Sequence, residues 1–115
     1  MEECLFCKIA RGELPATVVY EDDTVLAFED INPQVPVHTL VIPKTHYQSA
    51  AHDVPEELLG HIFSVAIEVA ELKGLQSTGY RLTTNVGEDG RQTVLHLHVH
   101  VLGGVQLPIR MGPAD

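Results

Sequence analysis

Three histidines alternate with apolar residues near the end of this 115-residue chain, in the run Val94-Leu-His-Leu-His-Val-His-Val-Leu102. Successive side chains of a β-strand point to opposite faces, so a strand here places His96, His98 and His100 on one face. The opposite face would carry Leu95, Leu97, Val99 and Val101. Each buried imidazole needs partners for its ring nitrogens. The run therefore predicts a strand with an apolar back and a chemically active front.

The other patterns predict an α+β fold, in which a five-stranded antiparallel sheet packs with one long helix and a short N-terminal helix. We expect strands at 17–21, 25–31, 37–43, 80–86 and 94–102, and the short helix within 4–10. The long helix is expected to start from a capping box of Asp53 and Glu56 and to end at Lys73, before Gly74. Its wide apolar sector favours coverage by the sheet and by a second subunit. The chain is predicted to form one domain, residues 1–115, with an irregular tail over 103–115.

Charge and hydropathy exclude two classes of partner. Lysine and arginine number 7 against 16 acidic residues, a formal net charge of -9, whereas nucleic-acid binding needs a basic surface. No apolar run approaches the roughly 18–20 residues of a membrane-spanning helix. With no signal-peptide pattern, the expected location is the cytoplasm.

Three chemistries use a row of histidines. Zinc held by all three rings is excluded, because the outer two lie roughly 13 Å apart along a strand. Nucleophilic attack of a neutral imidazole on phosphorus suits a side chain whose pKa lies near neutrality. Binding of an anion without catalysis uses the rings only as donors. The residues alone leave the last two open.

The two cysteines form a Cys4-Leu-Phe-Cys7 pair, which is half of a tetrahedral zinc site. A redox pair fits poorly, since no strand-then-helix pattern of the thioredoxin type surrounds it. Two inert buried thiols are the other interpretation.

The triad and its surroundings resemble the histidine triad (HIT) family of nucleotide hydrolases and transferases. The matching segments are Phe28-Glu-Asp-Ile-Asn-Pro33, Pro36-Val-His-Thr-Leu-Val-Ile-Pro-Lys44, Gly79-Tyr-Arg81 with Asn85, and His96 to Gly104. The pair Gly103-Gly104 resembles the purine nucleoside phosphoramidase branch, whereas the dinucleoside polyphosphate hydrolase branch tends to have Pro-Arg there. The resemblance implies a HIT-like fold and hydrolysis of purine nucleoside 5′-phosphoramidates or related adenylyl conjugates through a covalent nucleotidyl-histidine, without a catalytic cofactor.

The resemblance also implies roles for single residues. His98 would be the nucleophile, His100 would contact the phosphate and leaving group, and His38 and His96 would complete the imidazole cluster. Asp30 would bind the ribose hydroxyls, although by itself it is equally well explained as a turn residue. The phosphate would lie near Asn85, Gln92, Thr93 and the backbone N–H of Val94, and the base against Phe28 and Ile31.

A structural zinc ion and a homodimer are further implications of the resemblance. The zinc ligands would be Cys4, Cys7, His46 and His96. Arg91 stands where this branch commonly has glycine, and the chain has no tryptophan in its tail. Two other hypotheses stay open, a non-catalytic nucleotide-binding adaptor and a zinc-stabilised interaction module.

Overall fold

A computed structural model describes residues 4–109, in which one antiparallel sheet has the strand order β1-β2-β3-β5-β4. The strands are β1 (Val18–Glu21), β2 (Val25–Glu29), β3 (Val37–Pro43), β4 (Tyr80–Thr83) and β5 (Val99–Gly103). The helices are α1 (Leu5–Ala10) and α2 (Glu56–Leu72). The predicted α+β class, with one long and one short helix, is confirmed. Because Gly103 closes β5, the irregular tail begins one residue later than predicted, and its residues 110–115 lie outside the described part.

Both faces of the central strands are covered, which explains why β2 and β3 are almost continuously apolar. Along β2, Val25 and Ala27 face α2, whereas Leu26 and Phe28 face the side of α1. On β3, His38 shares the α1 side with Leu40 and Ile42, since it alternates with the residues that face α2. The α1 side therefore carries both a small apolar cluster and the imidazoles.

The predicted strand over 94–102 is wrong in its first half, because only Val99 to Gly103 pair with neighbouring strands. The ladder with β3 reaches Val41 opposite Val99. Two residues further on, Pro43 has no N–H for such a ladder. The predicted facing still holds for Leu97, Val99 and Val101, which are buried against α2. It fails for Leu95, which is 54% exposed.

The ends of β2 and β4 and the start of α2 also differ from the prediction. Strand β2 ends at Glu29 because the Asp30 carboxylate accepts the N–H of Asn32 and turns the chain. Strand β4 ends at Thr83, opposite His100. The capping box at α2 is wrong, since Pro55 is the N-cap residue and makes no side-chain capping bond, and Asp53 has φ 58°. Glu56 and Glu57 in the first turn supply negative charge to the helix N-terminus instead.

The apolar sector of α2 is only partly covered within residues 4–109. One side of the helix is buried against the sheet, whereas Ile67 is 44% exposed and Leu72 is 61% exposed. The predicted second subunit stays a prediction. No helix among the described residues is long and apolar enough to cross a membrane. The buried positions of α2 are Ile62, Val65, Ala66, Val69 and Ala70.

The turn between β1 and β2 is organised by the Asp22 carboxylate. It accepts the backbone N–H groups of Thr24 at 2.9 Å and Val25 at 2.8 Å, and the Tyr20 hydroxyl at 2.8 Å. His61 on α2 reaches it at 2.7 Å. Burial alone would raise the pKa of Asp22, but these hydrogen bonds, led by that of His61, outweigh burial and hold the pKa well below its usual value. Asp22 thus joins the first hairpin to α2.

We expect Asp22→Asn to lower the free energy of unfolding at pH 7 by about 1–2 kcal/mol, since it removes a charged acceptor. A depressed pKa stabilises the fold above the unfolded value, near 3.9, and this contribution is lost as the pH falls toward the folded pKa. The deficit of the variant should therefore shrink below pH 4. Urea titrations between pH 7 and pH 3 measure it, with the exposed neighbour Asp23→Asn as control. An equal loss in both variants would contradict the role of Asp22.

Candidate active site and thiol–imidazole centre

His38 and His100 form a hydrogen-bonded pair on adjacent strands. Nε2 of His38 lies 2.9 Å from Nδ1 of His100, and the backbone N–H of Gln34 donates to Nδ1 of His38 at 3.1 Å. Because Nδ1 of His38 accepts, its proton is on Nε2, which donates to His100. Neutral His100 then carries its own proton on Nε2. The Asp30 carboxylate lies 3.4 Å from Nε2 of His38, so one negative charge adjoins the pair.

His98 is oriented by its own backbone neighbourhood. Its Nδ1 lies 2.7 Å from the carbonyl oxygen of His96, so this nitrogen is the donor and Nε2 keeps its lone pair. Among residues 4–109, no group forms a hydrogen bond with that Nε2. Every fully buried polar side-chain atom of these residues does have a partner, so Nε2 is not fully buried. Nε2 is therefore accessible, although the side chain as a whole is buried. An accessible lone pair on a fixed ring is what a nucleophilic imidazole requires.

Burial also keeps the cluster uncharged. Desolvation lowers the pKa of His98, and it lowers the pKa of His100 to about 4, with the neighbouring histidines acting in the same direction. The Asp30 carboxylate opposes both effects. Near pH 7 the free site therefore presents neutral rings, with a lone pair on His98 and an N–H on His100. The ring centroids of these two residues are 4.9 Å apart.

Two residues missed by the sequence analysis contact the nucleophile candidate. Phe6 meets the ring of His98 edge-on, with centroids 5.2 Å apart, and also contacts His96 at 6.0 Å. Thr84 donates its hydroxyl to the carbonyl of His98 at 2.7 Å. The only sequence signal for Phe6 was its place between the cysteines, and an isolated threonine after a strand carries none.

The residues predicted to surround the phosphate lie together in one loop, where the polar side chains of Asn85 and Gln92 already have hydrogen-bond partners. Asn85 donates to the carbonyl of Gly90 at 2.7 Å. Gln92 accepts the N–H of Gly87 at 2.9 Å and donates to the carbonyls of Gln48 and Val94. Thr93 is exposed, and Val94 packs against the apolar cluster on the α1 side. These contacts shape the loop, and contact with phosphate stays a prediction.

The predicted base-binding residues differ in exposure. Phe28 is only 4% exposed and stacks edge-on against Phe6, with centroids 5.5 Å apart. Ile31 is 88% exposed, and it lines a cleft of about 290 Å³ together with Asp30. Phe28 thus belongs to the buried cluster with Phe6, whereas Ile31 lies at the surface.

The four predicted zinc ligands converge, with all their ligand atoms within 4.8 Å of one another. Sγ of Cys4 lies 3.2 Å and Sγ of Cys7 3.5 Å from Nδ1 of His96, and Sγ of Cys7 lies 3.3 Å from Nδ1 of His46. We call Cys4, Cys7, His46 and His96 the thiol–imidazole centre. It lies directly beside the triad, since His96 belongs to both.

The chemistry of the thiol–imidazole centre fits a tetrahedral ion such as zinc. Tetrahedral bonds of normal length place sulfur and nitrogen ligands about 3.5 Å apart, close to the distances observed. His96 donates its Nε2–H to the carbonyl of Pro43 at 2.9 Å, which leaves the lone pair of Nδ1 toward the cysteines. Burial lowers the pKa of His46, and that of His96 to about 4, so both rings are neutral, as metal ligation requires.

A second group, Asp30, His38 and His100, also converges within 4.8 Å but fits a metal poorly. The N–H of Gln34 occupies Nδ1 of His38, so the proton sits on the Nε2 that would have to ligate. This cluster is therefore built for hydrogen bonding.

Comparison with known proteins decides the family. Residues 11–107 match the HIT domain. The chain belongs to the HIT domain family. It is 45% identical to the purine nucleoside phosphoramidase of Escherichia coli over 108 residues, covering 90% of this chain and 88% of that protein. A HIT family hydrolase from Legionella pneumophila has a TM-score of 0.90 at 50% identity, with 96% of this chain and 100% of that chain covered. The resemblance found in the sequence is confirmed, and the predicted class of hydrolase is supported by relatives of that class.

A third HIT relative bears on the metal. A zinc-bound histidine triad family protein from Mycobacterium smegmatis has a TM-score of 0.83 at 37% identity, with 97% of this chain and 84% of that chain covered. Zinc is therefore bound by at least one protein of the same fold.

In the loop beside the site, the neighbouring positions 90 and 91 differ in whether the backbone leaves room for a side chain. Arg91 has φ 67°, a left-handed conformation that glycine adopts without strain, which explains why glycine suits this position. At Gly90, a Cβ would lie 2.4 Å from the carbonyl oxygen of Val86. The loop therefore tolerates a side chain at 91 at some cost and excludes one at 90.

We expect Arg91→Gly to raise the free energy of unfolding by about 0.5–1 kcal/mol, because relief of strain exceeds the added chain entropy of glycine. The matched variant Gly90→Ala should lower it by about 2 kcal/mol or more, since backbone would have to move. Denaturant unfolding of both variants checks the pair. Destabilisation by Arg91→Gly would show that its side chain contributes more than its backbone costs.

Proposed function

We propose that this protein hydrolyses the P–N bond of purine nucleoside 5′-phosphoramidates, or of related adenylyl conjugates, through a covalent nucleotidyl intermediate on His98. The observation that carries the proposal is the hydrogen bond from Nδ1 of His98 to the carbonyl of His96, which leaves an accessible lone pair on Nε2 beside the ring of His100. The similarity to the phosphoramidase of Escherichia coli supports the substrate class.

In the first step, Nε2 of His98 forms a bond to phosphorus as the P–N bond breaks. The leaving amine takes a proton from Nε2 of His100 when the His38–His100 pair holds one extra proton. The phosphate anion of a bound substrate and the Asp30 carboxylate favour that charged form, whereas in the free site it is disfavoured by burial. A group that is a weak base in the free site is a strong acid once protonated, as a leaving group of this kind requires.

In the second step, water attacks the phosphorus of the nucleotidyl-histidine. The P–Nε2 bond breaks, neutral His98 is restored, and the proton of the water returns to His100. The net reaction consumes one water and releases an amine and a nucleoside 5′-monophosphate. No group other than these side chains is needed to balance protons, and we propose no catalytic cofactor.

We assign substrate binding to the cleft that Asp30 and Ile31 line. Oδ1 of Asp30 accepts the N–H of Asn32 at 2.8 Å, and its other oxygen, next to His38, is the acceptor for the ribose hydroxyls. Ile31 and Phe28 would provide the apolar surface for the purine. A larger cleft of about 550 Å³ lies around Leu75 and Gly104, but none of the residues that line it is titratable. The loop of Asn85, Gln92, Thr93 and Val94 would close over the phosphate.

A zinc ion in the thiol–imidazole centre completes the proposal. It would be structural, because four protein ligands leave no open position for a substrate.

The exposed apolar residues Ile67 and Leu72 on α2 favour a homodimer. Both cysteines are free thiols, which suits the reducing cytoplasm.

We expect the wild type to hydrolyse adenosine 5′-phosphoramidate and His98→Ala to be slower by at least about 10³-fold, because the nucleophile is lost. Intact-protein mass spectrometry of samples quenched without acid should detect an adenylyl adduct in the wild type alone. His52→Ala, which changes an exposed histidine bonded to Ser49, is the control and should keep full activity.

Other results would select the alternatives. Binding of AMP without turnover or adduct would favour the nucleotide-binding adaptor. Faster cleavage of diadenosine tetraphosphate than of the phosphoramidate would favour the dinucleoside polyphosphate hydrolase.

We expect the purified chain to bind one zinc ion, and Co²⁺ in its place to show thiolate-to-metal charge-transfer absorption. Cys7→Ala should abolish both, whereas Asp30→Asn should leave both unchanged because Asp30 belongs to the other cluster. Metal analysis after gel filtration and absorption spectroscopy measure these outcomes. Metal retained by Cys7→Ala and lost by Asp30→Asn would reverse the assignment of the two clusters.

A further inference from the structure

His96 connects the thiol–imidazole centre to the nucleophile through two parts of one residue. Its ring points Nδ1 at the sulfur atoms of Cys4 and Cys7, at 3.2 and 3.5 Å. Its main-chain carbonyl accepts the Nδ1–H of His98 at 2.7 Å. A displacement of the backbone at His96 would therefore move both the ring that faces the cysteines and the carbonyl that fixes the tautomer of His98.

The backbone around His96 has few other restraints. Residues 94–98 lie outside the sheet, so the carbonyl of His96 is not held by a strand ladder. The segment is attached instead to the stretch 43–47, since the ring of His96 donates to the carbonyl of Pro43 and the N–H of Leu97 donates to the carbonyl of Tyr47 at 2.7 Å. His46, a member of the centre, lies within that same stretch. A metal ion in the centre would thus hold the segments 43–47 and 94–98 in contact, and this contact positions His96.

A second route runs through α1. Phe6 stands between Cys4 and Cys7, and its ring lies edge-on against His98, at an interplanar angle of 89°. Helix α1 has only six residues, too few to be stable in isolation. Ligation by its two cysteines would hold Phe6 against the nucleophile.

We propose that a metal ion in the thiol–imidazole centre positions His98 for the proposed hydrolase, with His96 and Phe6 as the positioning residues. The expected effect on turnover rests on the proposed function, whereas the expected effect on the tautomer of His98 does not. Metal loss then lowers kcat, because the lone pair of His98 is misplaced. It affects nucleotide binding less, because Asp30 and Ile31 lie outside both the centre and the segment 94–98.

The test compares the zinc-loaded full chain with the same chain treated with a chelator and with His46→Ala. His46→Ala removes one ligand together with the edge contact between its ring and that of His96, whose centroids are 4.9 Å apart, so chelation of the wild type is the arm specific for the metal. His52→Ala is the matched histidine control. Two-bond ¹⁵N–¹H spectra at pH 7 report the tautomer of His98. We expect a single Nδ1-protonated tautomer in the zinc-loaded chain and in His52→Ala, and a mixture after chelation and in His46→Ala. Re-addition of zinc should restore the single tautomer in the chelated wild type.

With adenosine 5′-phosphoramidate, kcat should fall about tenfold or more on chelation, and the dissociation constant of AMP should change by a smaller factor than kcat. An unchanged tautomer and kcat after proven metal loss would overturn the proposal, as would failure of the chain to bind metal. If the metal-free chain unfolds, zinc-loaded Phe6→Leu decides, since it keeps the metal and an apolar side chain but loses the aromatic edge contact. Unaltered His98 in Phe6→Leu would then refute the positioning role. A wild type without turnover would refute the proposed function, while the tautomer would still test this inference.

Discussion

The hydrogen bond from Nδ1 of His98 to the carbonyl of His96 is the interaction on which the proposed chemistry of the site depends. A neutral imidazole has one proton and one lone pair, so fixing the proton on Nδ1 also fixes the lone pair on Nε2. The bond is made between residues two apart along the chain, and it requires the backbone at 96 to turn its carbonyl toward the ring that follows. A regular strand would commit that carbonyl to a neighbouring strand. The irregular backbone over 94–98 is therefore part of the site.

This constraint explains both what the sequence predicted and what it did not. Alternation of apolar residues correctly assigned Leu97, Val99 and Val101 to the core, because side-chain facing depends on local extension and not on pairing. The same alternation could not reveal where the ladder ends, which is set by Pro43 on another strand and by the contacts of the segment 43–47. The family resemblance predicted which four residues form the thiol–imidazole centre, and all four converge. Composition and spacing alone would have supplied only the cysteine pair.

Polar side chains were the least predictable part of the site. Asn85 and Gln92 carry donors and acceptors in any conformation, and the sequence does not show whether these groups face a ligand or the loop itself. In the structure they satisfy backbone groups of Gly87, Gly90 and Val94. Phe6 and Thr84 were missed for the converse reason, since an apolar ring and a single hydroxyl have no pattern that points to a histidine far away in sequence.

The two clusters of candidate metal ligands show how a single backbone contact separates two kinds of site. Each cluster brings its ligand atoms within the same 4.8 Å, so distance alone does not distinguish them. At His96, a carbonyl acceptor takes the Nε2–H and directs a lone pair into the cluster; at His38, an amide donor takes the lone pair and directs an N–H into it. The first arrangement favours a cation and the second favours an acceptor or an anion. The α1 side of the molecule thus holds the thiol–imidazole centre and the His38–His100 pair side by side, and His96 and His98, two residues apart, connect them.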